Sequence, residues 1–425
     1  MTISVFLFSL LGAMALGMPI AFALLVCGAS LMLMQGSFDP TIFSQKIIEG
    51  TDSFPLLAIP FFLLSGELMN AGGISKRIVN FALAWVGHIR GGLGLVAIIA
   101  SVIMAAMSGA AAADAAALGS LLIPMMRKAG YDVRTAGGLL SAGSVIAPVI
   151  PPSIGLIVFG VIANVSIGKL FLAGIFPGFL MGLSLVIAWF WVVRKDKIDI
   201  LPPMPFKERV RVTLDGVWAL FTPFGIIGGL KLGIVTPTEA GVFACVYSFF
   251  IGKFVYGELK WGAIYPILVS AAKTTAVVVF LIAAALVSGY LIAISDVPGE
   301  VSKLLQPFVH NKILLMFVIM ALVVIVGTAL DFAPTVLILT PVLMPIVKQA
   351  GIDPVYFGVL FIMNNAIGLI TPPVGIVLNV ICGVAKIPMD GLMKGLWPFL
   401  FAEVLVMFAM VIFPELVLTP LRWLL

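Results

Sequence analysis

Ala147-Pro148-Val149-Ile150-Pro151-Pro152-Ser153 and, 221 residues further on, Gly368-Leu369-Ile370-Thr371-Pro372-Pro373-Val374 decide how this chain is built. Each lies in an apolar run that would otherwise be one helix. Proline inside a helix removes a backbone hydrogen bond and collides with the preceding turn, so the runs 135–163 and 355–384 read as broken helices. The same offset aligns Pro124 with Pro345, Ala129-Gly130 with Ala350-Gly351, Asp132 with Asp353, Gly137 with Gly358, Gly174 with Gly395 and Pro177 with Pro398, without a gap. Ser65-Gly66 and Ser75-Lys76 resemble Ser288-Gly289 and Ser302-Lys303 at slightly larger offsets. Gly and Pro are common enough here to coincide by chance, but two Pro-Pro pairs and two Ala-Gly-x-Asp turns in one ungapped series mark an internal repeat.

The solvent of this repeat is a bilayer. Of 425 residues, 62% are hydrophobic and 10% charged, where soluble domains carry about 25% charged residues. Apolar segments near 2–34, 54–70, 91–126, 135–163, 166–193, 217–252, 261–294, 313–347, 355–384 and 391–412 give some ten to twelve crossings, several segments being long enough for two. Residues 78–87 and 304–309 are shorter and suit the interface. The uncharged first 38 residues lack the basic start of a signal peptide and read as a retained membrane helix, kinked near Gly17-Met18-Pro19. A net charge of +5 fits basic loops facing anionic lipid rather than nucleic acid. Cys27, Cys245 and Cys382 are scattered through apolar runs and offer neither a disulfide framework nor a zinc spacing.

Charge also orients the halves. Residues 1–193 form the first repeat, 194–216 a basic linker and 217–425 the second repeat. The turn Arg127–Arg134 carries three basic residues and its counterpart Lys348–Val355 one. Basic loops stay in the cytoplasm, which places the two turns on opposite sides and makes the repeats inverted. Two further crossings bring the chain back to the cytoplasm at 194–211, in agreement.

Each repeat has a hairpin before its broken helix. The arms 91–107 and 111–126 flank Met107-Ser108-Gly109-Ala110, and each is about 24 Å long, short of the ~30 Å hydrocarbon core. They form a re-entrant hairpin over about 91–126, and 313–347 forms its mate around Gly327-Thr328-Ala329-Leu330-Asp331. Broken helices at corresponding places in inverted halves point to the midplane site of a secondary transporter. Free carbonyls at a half-helix C-terminus coordinate a cation, and N–H groups at the next N-terminus attract a carboxylate. The alternative is a pair of proline kinks that only bend packed helices.

Asp114 and Asp331 are carboxylates in otherwise apolar surroundings, costly without a cation or hydrogen bonds; capping of nearby N–H groups is their structural alternative. Ser108, Ser144, Ser153, Thr328, Thr371, Asn364, Asn365 and Asn379 supply neutral oxygens, though such groups also bond between membrane helices. Glu67, Glu239, Lys273 and Glu403 read as inter-helix or subunit-contact polar pairs.

Ser-Gly-x-x-x-Ala-Asp (108–114), Ile-Ala-Pro-Val-Ile-Pro-Pro-Ser-Ile (146–154), Thr-Pro-Thr-Glu-Ala-Gly (236–241), Pro-Thr-Val-Leu-Ile-Leu-Thr-Pro-Val (334–342) and Gly-Leu-Ile-Thr-Pro-Pro-Val-Gly (368–375) occur in order. Across essentially its whole length the chain resembles the large membrane subunit of tripartite ATP-independent periplasmic (TRAP) transporters. The resemblance implies an all-α polytopic protein of the bacterial inner membrane. It also implies an elevator mechanism, in which a transport domain with both hairpins and both broken helices slides against a scaffold. It further implies sodium coupling at about two sites, no organic cofactor, a separate small four-helix membrane subunit and a soluble periplasmic binding protein. The first sodium site would use Ser108, Gly109, Ala110, Ala147, Ile150 and Pro152, and the second Thr328, Ala329, Gly368, Ile370 and Pro373. Asp331 and the inner edges of both breaks would face substrate, with Asp114, Ser144, Ser153 and Asn365 completing the candidate set. Ala110 stands where family members often carry a hydroxyl, leaving only its carbonyl, and Gly155 offers no side chain.

The expected function is sodium-coupled import of an organic acid, with sialic acid, C4-dicarboxylates and keto sugar acids as family substrates. A stand-alone sodium/organic-acid symporter or an antiporter of related fold is the alternative. An intramembrane aspartyl protease using Asp114 and Asp331 would need a Gly-x-Gly-Asp motif that is absent, and His88 and His310 are isolated from any zinc spacing.

Overall fold

A computed structural model of the chain describes residues 2–36, 38–195, 200–330, 332–372 and 375–425. Regular structure among the described residues is helical throughout. The first half holds α1 (Thr2–Ala15), α2 (Ile20–Met34), α3 (Pro40–Thr51), α4 (Ala58–Ala71), α5 (Ile74–Val86), α6 (Gly92–Ser108), α7 (Ala111–Lys128), α8 (Val133–Ser144), α9 (Ile154–Ala163) and α10 (Ile167–Val192). The second holds α11 (Phe206–Lys231), α12 (Pro237–Phe250), α13 (Trp261–Ile294), α14 (Val297–Val309), α15 (Lys312–Ala329), α16 (Phe332–Gln349), α17 (Pro354–Gly368), α18 (Ile376–Ala385), α19 (Met389–Ile412) and α20 (Glu415–Leu424). Seven helices among the described residues are long and apolar enough to cross a membrane, and shorter apolar helices accompany them.

The 221-residue offset survives as helix boundaries. It carries α7 onto α16 residue for residue and brings α6, α9 and α10 within one residue of the starts of α15, α18 and α19. Local chemistry sets the shared starts. Asp132 accepts the Arg134 N–H at 3.0 Å, and Asp353 accepts those of Val355 and Tyr356 at 2.8 and 3.0 Å, so each first half-helix begins on an aspartate N-cap. Proline at the first helical position adds pre-organisation in α17.

Three apolar stretches resolve in ways hydropathy leaves open. Residues 2–34 form two helices packed on one another rather than one kinked helix, because the chain leaves helical geometry at Gly17 (φ 80°). Residues 217–252 hold parts of two helices, turned at Leu232–Thr236. Residues 261–294 form a single 34-residue helix, about 51 Å long. α11 begins inside the basic segment and runs past residue 217 without interruption.

Two sets of helices pack among themselves and meet chiefly where α5 lies on α6 and α13 on α16. Helices α6 to α10 and α15 to α19 pack on one another, chiefly through the pairs α8 with α19, α7 with α18, α9 with α16 and α10 with α19. Helices α2, α3, α4 and α12 gather along α13 or α4, and α11 joins through α5 and α12. Ser65-Gly66 and Ser288-Gly289, the weaker repeat match, lie where the groups meet. A Cβ on Gly66 would be 3.7 Å from the Ser108 Cα, and one on Gly289 would be 3.6 Å from Pro341.

Candidate functional site

Each hairpin tip is seated against the break of its own repeat. The α6–α7 turn is made by Gly109 in the left-handed region (φ 62°), followed by extended Ala110. A Cβ on Gly109 would stand 2.3 Å from the Pro152 carbonyl oxygen. No residue but glycine fits there. Ser108, at the end of α6, is buried, and its Oγ accepts the Ala110 N–H at 3.3 Å. The structure therefore brings Ser108, Gly109, Ala110 and Pro152 together.

The first break is a compact coil, not an open loop. Ser144 O accepts the Ala147 N–H, and Ile146 O accepts those of Val149 and Ile150. No hydrogen bond among the described residues reaches the carbonyls of Ala147 or Ile150, although both residues are buried. Buried carbonyls are normally paired; Pro151 lacks the N–H that would reach the Ala147 carbonyl four residues back, and the chain leaves helical geometry before Ile154, whose N–H would reach that of Ile150. From behind, α10 closes on the break through glycines: a Cβ on Gly174 would meet the Val149 carbonyl oxygen at 2.3 Å, and one on Gly178 would meet Ile150 at 2.2 Å.

The second break runs from Leu369 to Gly375, and Asp331 and Pro373 lie outside the described residues. Thr328 and Ala329 occupy the last turn of α15. Gly327 and Gly368 are in contact, a Cβ on Gly368 standing 3.5 Å from the Gly327 carbonyl oxygen. Thr371 N–H donates to the Gly368 carbonyl at 3.1 Å, while the Ile370 carbonyl accepts nothing among the described residues. Gly327, Leu330, Phe332, Thr335, Asn365 and Gly368 line a cavity of about 10 Å³ of water-accessible space, room for about one water or a dehydrated ion of similar size.

Asn365 and Thr335 are the polar side chains of that cavity. Asn365 Nδ2 donates to the Phe361 carbonyl at 2.7 Å, and the buried Asn365 Oδ1 has no donor. Asn364 is similar: Nδ2 donates to the Met320 carbonyl at 2.7 Å, and Oδ1 is unpaired. Gly327 and Thr335 were not singled out by sequence as cavity residues; Thr335 is the repeat mate of Asp114, the signal that could have found it.

The two halves interlock beyond their own repeats. Gly155, at the start of α9, lies against Phe332 at the start of α16, where a Cβ would be 2.4 Å from Cζ. The absence of a side chain at Gly155 is thus a packing requirement.

Asp114 sits in the first turn of α7, fully buried, with the Ser108 hydroxyl beside it and neither carboxylate oxygen in a formed hydrogen bond. The N-cap of α7 is Ala110, without a side-chain bond, so Asp114 does not cap the helix. Ser144 and Ser153 are also buried, but their hydroxyl protons are engaged. Ser144 Oγ donates to Leu140 O at 2.7 Å, and Ser153 Oγ donates across the break to Pro148 O while accepting the Leu156 N–H as the cap of α9. These bonds hold the break in shape.

Of the four ionisable residues read as polar pairs, none forms an ion pair among the described residues. Glu239 closes a capping box with Thr236 at the exposed start of α12. Glu67 accepts from Ser270 Oγ at 3.1 Å. Lys273 is exposed on α13. Glu403 is fully buried in α19 with both carboxylate oxygens unpaired, which replaces the expected pair with an isolated carboxyl. The cysteines are free.

Comparison with known proteins agrees with this geometry. The family model described as "Tripartite ATP-independent periplasmic transporter, DctM component" matches residues 7–416. The 2,3-diketo-L-gulonate TRAP transporter large permease protein YiaN of Escherichia coli (strain K12) is 51% identical over all of both chains. The isethionate TRAP transporter permease protein DctMQ of Oleidesulfovibrio alaskensis is 38% identical over 91% of this chain, which spans 61% of that protein. Among solved structures, the YdaH transporter of Alcanivorax borkumensis superimposes with a TM-score of 0.63 at 14% identity, covering 86% of each chain, a likeness of fold alone. The chain is a multi-pass membrane protein with the helical architecture of a transporter rather than an enzyme, and it belongs to the DctM family, the large permease component of TRAP transporters.

Proposed function

We propose that this chain imports a carboxylate-bearing organic acid across the bacterial inner membrane, drawing its energy from sodium. One observation carries the proposal: the water-sized cavity at the second hairpin and break, lined by Asn365, whose buried Oδ1 is unpaired. Neutral oxygens around so small a space suit a monovalent hard cation. The second sodium set is Thr328, Ala329, Gly368, Ile370 and Pro373, joined by Asn365. The first is Ser108, Gly109, Ala110, Ala147, Ile150 and Pro152, with Asp114 adjacent. Asp331 and the N-termini of α9 and α18 face substrate. A sodium ion moving down 100 mV releases about 2.3 kcal/mol.

The name of the 51% identical relative favours a keto sugar acid over sialic acid or a C4-dicarboxylate. Such a substrate would arrive on a periplasmic binding protein, with a small membrane subunit completing the system. The two packing groups would act as transport domain and scaffold of an elevator, with Gly66 and Gly289 giving a smooth contact where they meet. The test is uptake in proteoliposomes holding this chain and its small subunit. 2,3-Diketogulonate should accumulate only with an inward sodium gradient and the binding protein. Uptake driven by protons alone, or without the binding protein, would replace the proposal with a stand-alone carrier.

A further inference from the structure

Glu67 on α4 and Lys273 on α13 are exposed within two of the helices that are long and apolar enough to cross the membrane. They belong to one patch. Ser270 Oγ donates to Glu67 Oε1 at 3.1 Å, and Thr274 Oγ1 donates back to the Ser270 carbonyl at 3.1 Å. Ser270, Lys273, Thr274 and Val277 share one face of α13 by their three- and four-residue spacing, and Val277 is 67% exposed. Lys273 has no hydrogen-bond or ion-pair partner among the described residues.

Depth makes the patch informative. Lys273 lies twelve residues beyond Trp261, about 18 Å along α13. Centring a ~30 Å hydrocarbon core on this ~51 Å helix puts its Cα about 8 Å inside. Other lysines and arginines of the seven candidate spans lie within two turns of a helix end. Charged groups at such depth face a protein interior or pair with one another, yet Lys273 is exposed without a partner among the described residues, beside an exposed Glu67 that has only the Ser270 hydroxyl.

We infer that this patch is where the small membrane subunit docks, one of its transmembrane helices presenting an acceptor to Lys273 and a donor to Glu67. The inference rests on the proposed function above. The occupant is a membrane helix because the patch lies within apolar spans. It comes from another subunit of the system because the family is tripartite and because the DctMQ relative carries a further 39% of its length beyond the part this chain matches.

The test uses the full chain co-expressed with its small subunit, with a photo-reactive amino acid at Thr274 or Val277 and, as control, at Ile187, which is 66% exposed on α10. Crosslinks to the small subunit should form at 274 and 277 and not at 187. Lys273→Leu should lower the co-purified small subunit at least about tenfold while the chain stays monodisperse, and Lys273→Arg should restore it. Crosslinks to a second copy of this chain, or no protein adduct from 274 and 277 while the small subunit still co-purifies, would overturn the docking site and leave the function standing. Undiminished capture by Lys273→Leu would do the same, leaving a lysine that snorkels to lipid headgroups. Failure of the unmodified chain to capture any small subunit would overturn both.

Discussion

At the first hairpin tip Gly109 is held at φ 62° with the Pro152 carbonyl where its side chain would be, whereas at the second tip Gly327 and Gly368 meet loosely and leave a water-sized space beside Asn365. Both tips use the same backbone plan of two short arms, a turn and a proline-broken helix behind it. The side chains around them differ: the first tip has a buried, unpaired carboxyl, Asp114, where the second has the neutral Thr335. The two copies share a backbone device and differ in the side chains around it. A site built from backbone carbonyls, as proposed, would tolerate this divergence because its ligands would not depend on side-chain identity.

The comparison breaks most sharply at glycine. Gly109→Ala forces a Cβ into the Pro152 carbonyl in a backbone region that L-residues avoid. Sodium-driven uptake should fall by two orders of magnitude or more, about 2.7 kcal/mol or above. Gly327→Ala, whose Cβ would first meet an atom at 3.9 Å, should keep at least a third of the uptake. Equal losses would show the two tips to be equally tight.

Next comes the choice between carboxylate and neutral ligands. Asp114→Asn keeps the shape and removes the charge; the half-saturating sodium concentration should rise about tenfold, or ~1.4 kcal/mol, with the melting temperature unchanged or higher, because an unpaired buried carboxyl is costly to the fold. Asn365→Leu removes the unpaired oxygen of the other site and should weaken sodium dependence several-fold with little loss of stability. If only one of the two substitutions moves the sodium dependence, the ion belongs to that copy alone.

The smallest effect lies at the periphery. The Ile3 N–H donates to Glu300 Oε2 at 3.0 Å, and this bond holds the Glu300 carboxyl below its ordinary 4.5. A lowered folded pKa gives stability that is present above 4.5 and lost as pH falls through the lowered value. Amide exchange at Ile3 should therefore quicken, after correction for intrinsic rates, below about pH 4.5. Glu300→Gln should flatten that dependence without altering uptake.

Much of this architecture was legible in order along the chain. Pro148, Pro151 and Pro152 break a helix wherever they stand, Asp132 and Asp353 cap the residues that follow them, and a 221-residue echo needs no coordinates. These are local effects of φ restriction and of side chains bonding their own backbone, so sequence expresses them directly. Hydropathy was weaker at deciding where one apolar run holds one helix or two. Residues 261–294 and 2–34 are similarly apolar, and only the second contains a glycine turn at Gly17.

What tertiary structure alone decided is which polar atoms are left without partners. Ser144, Ser153 and Asn365 were equivalent candidates in sequence; the two serine hydroxyls bond carbonyls of their own segment, at Leu140 and Pro148, while the fold buries Asn365 Oδ1 without a donor. Glu403 looked like half of an ordinary pair and is sealed without one, while Glu67 finds the inter-helix Ser270 hydroxyl and Lys273 is exposed without a partner among the described residues. The sequence by itself determined a duplicated, proline-broken membrane protein, because helix breaking and apolar length are properties of neighbouring residues. The sites required the fold, because pairing and burial depend on groups hundreds of residues apart and on a distance of one or two ångströms.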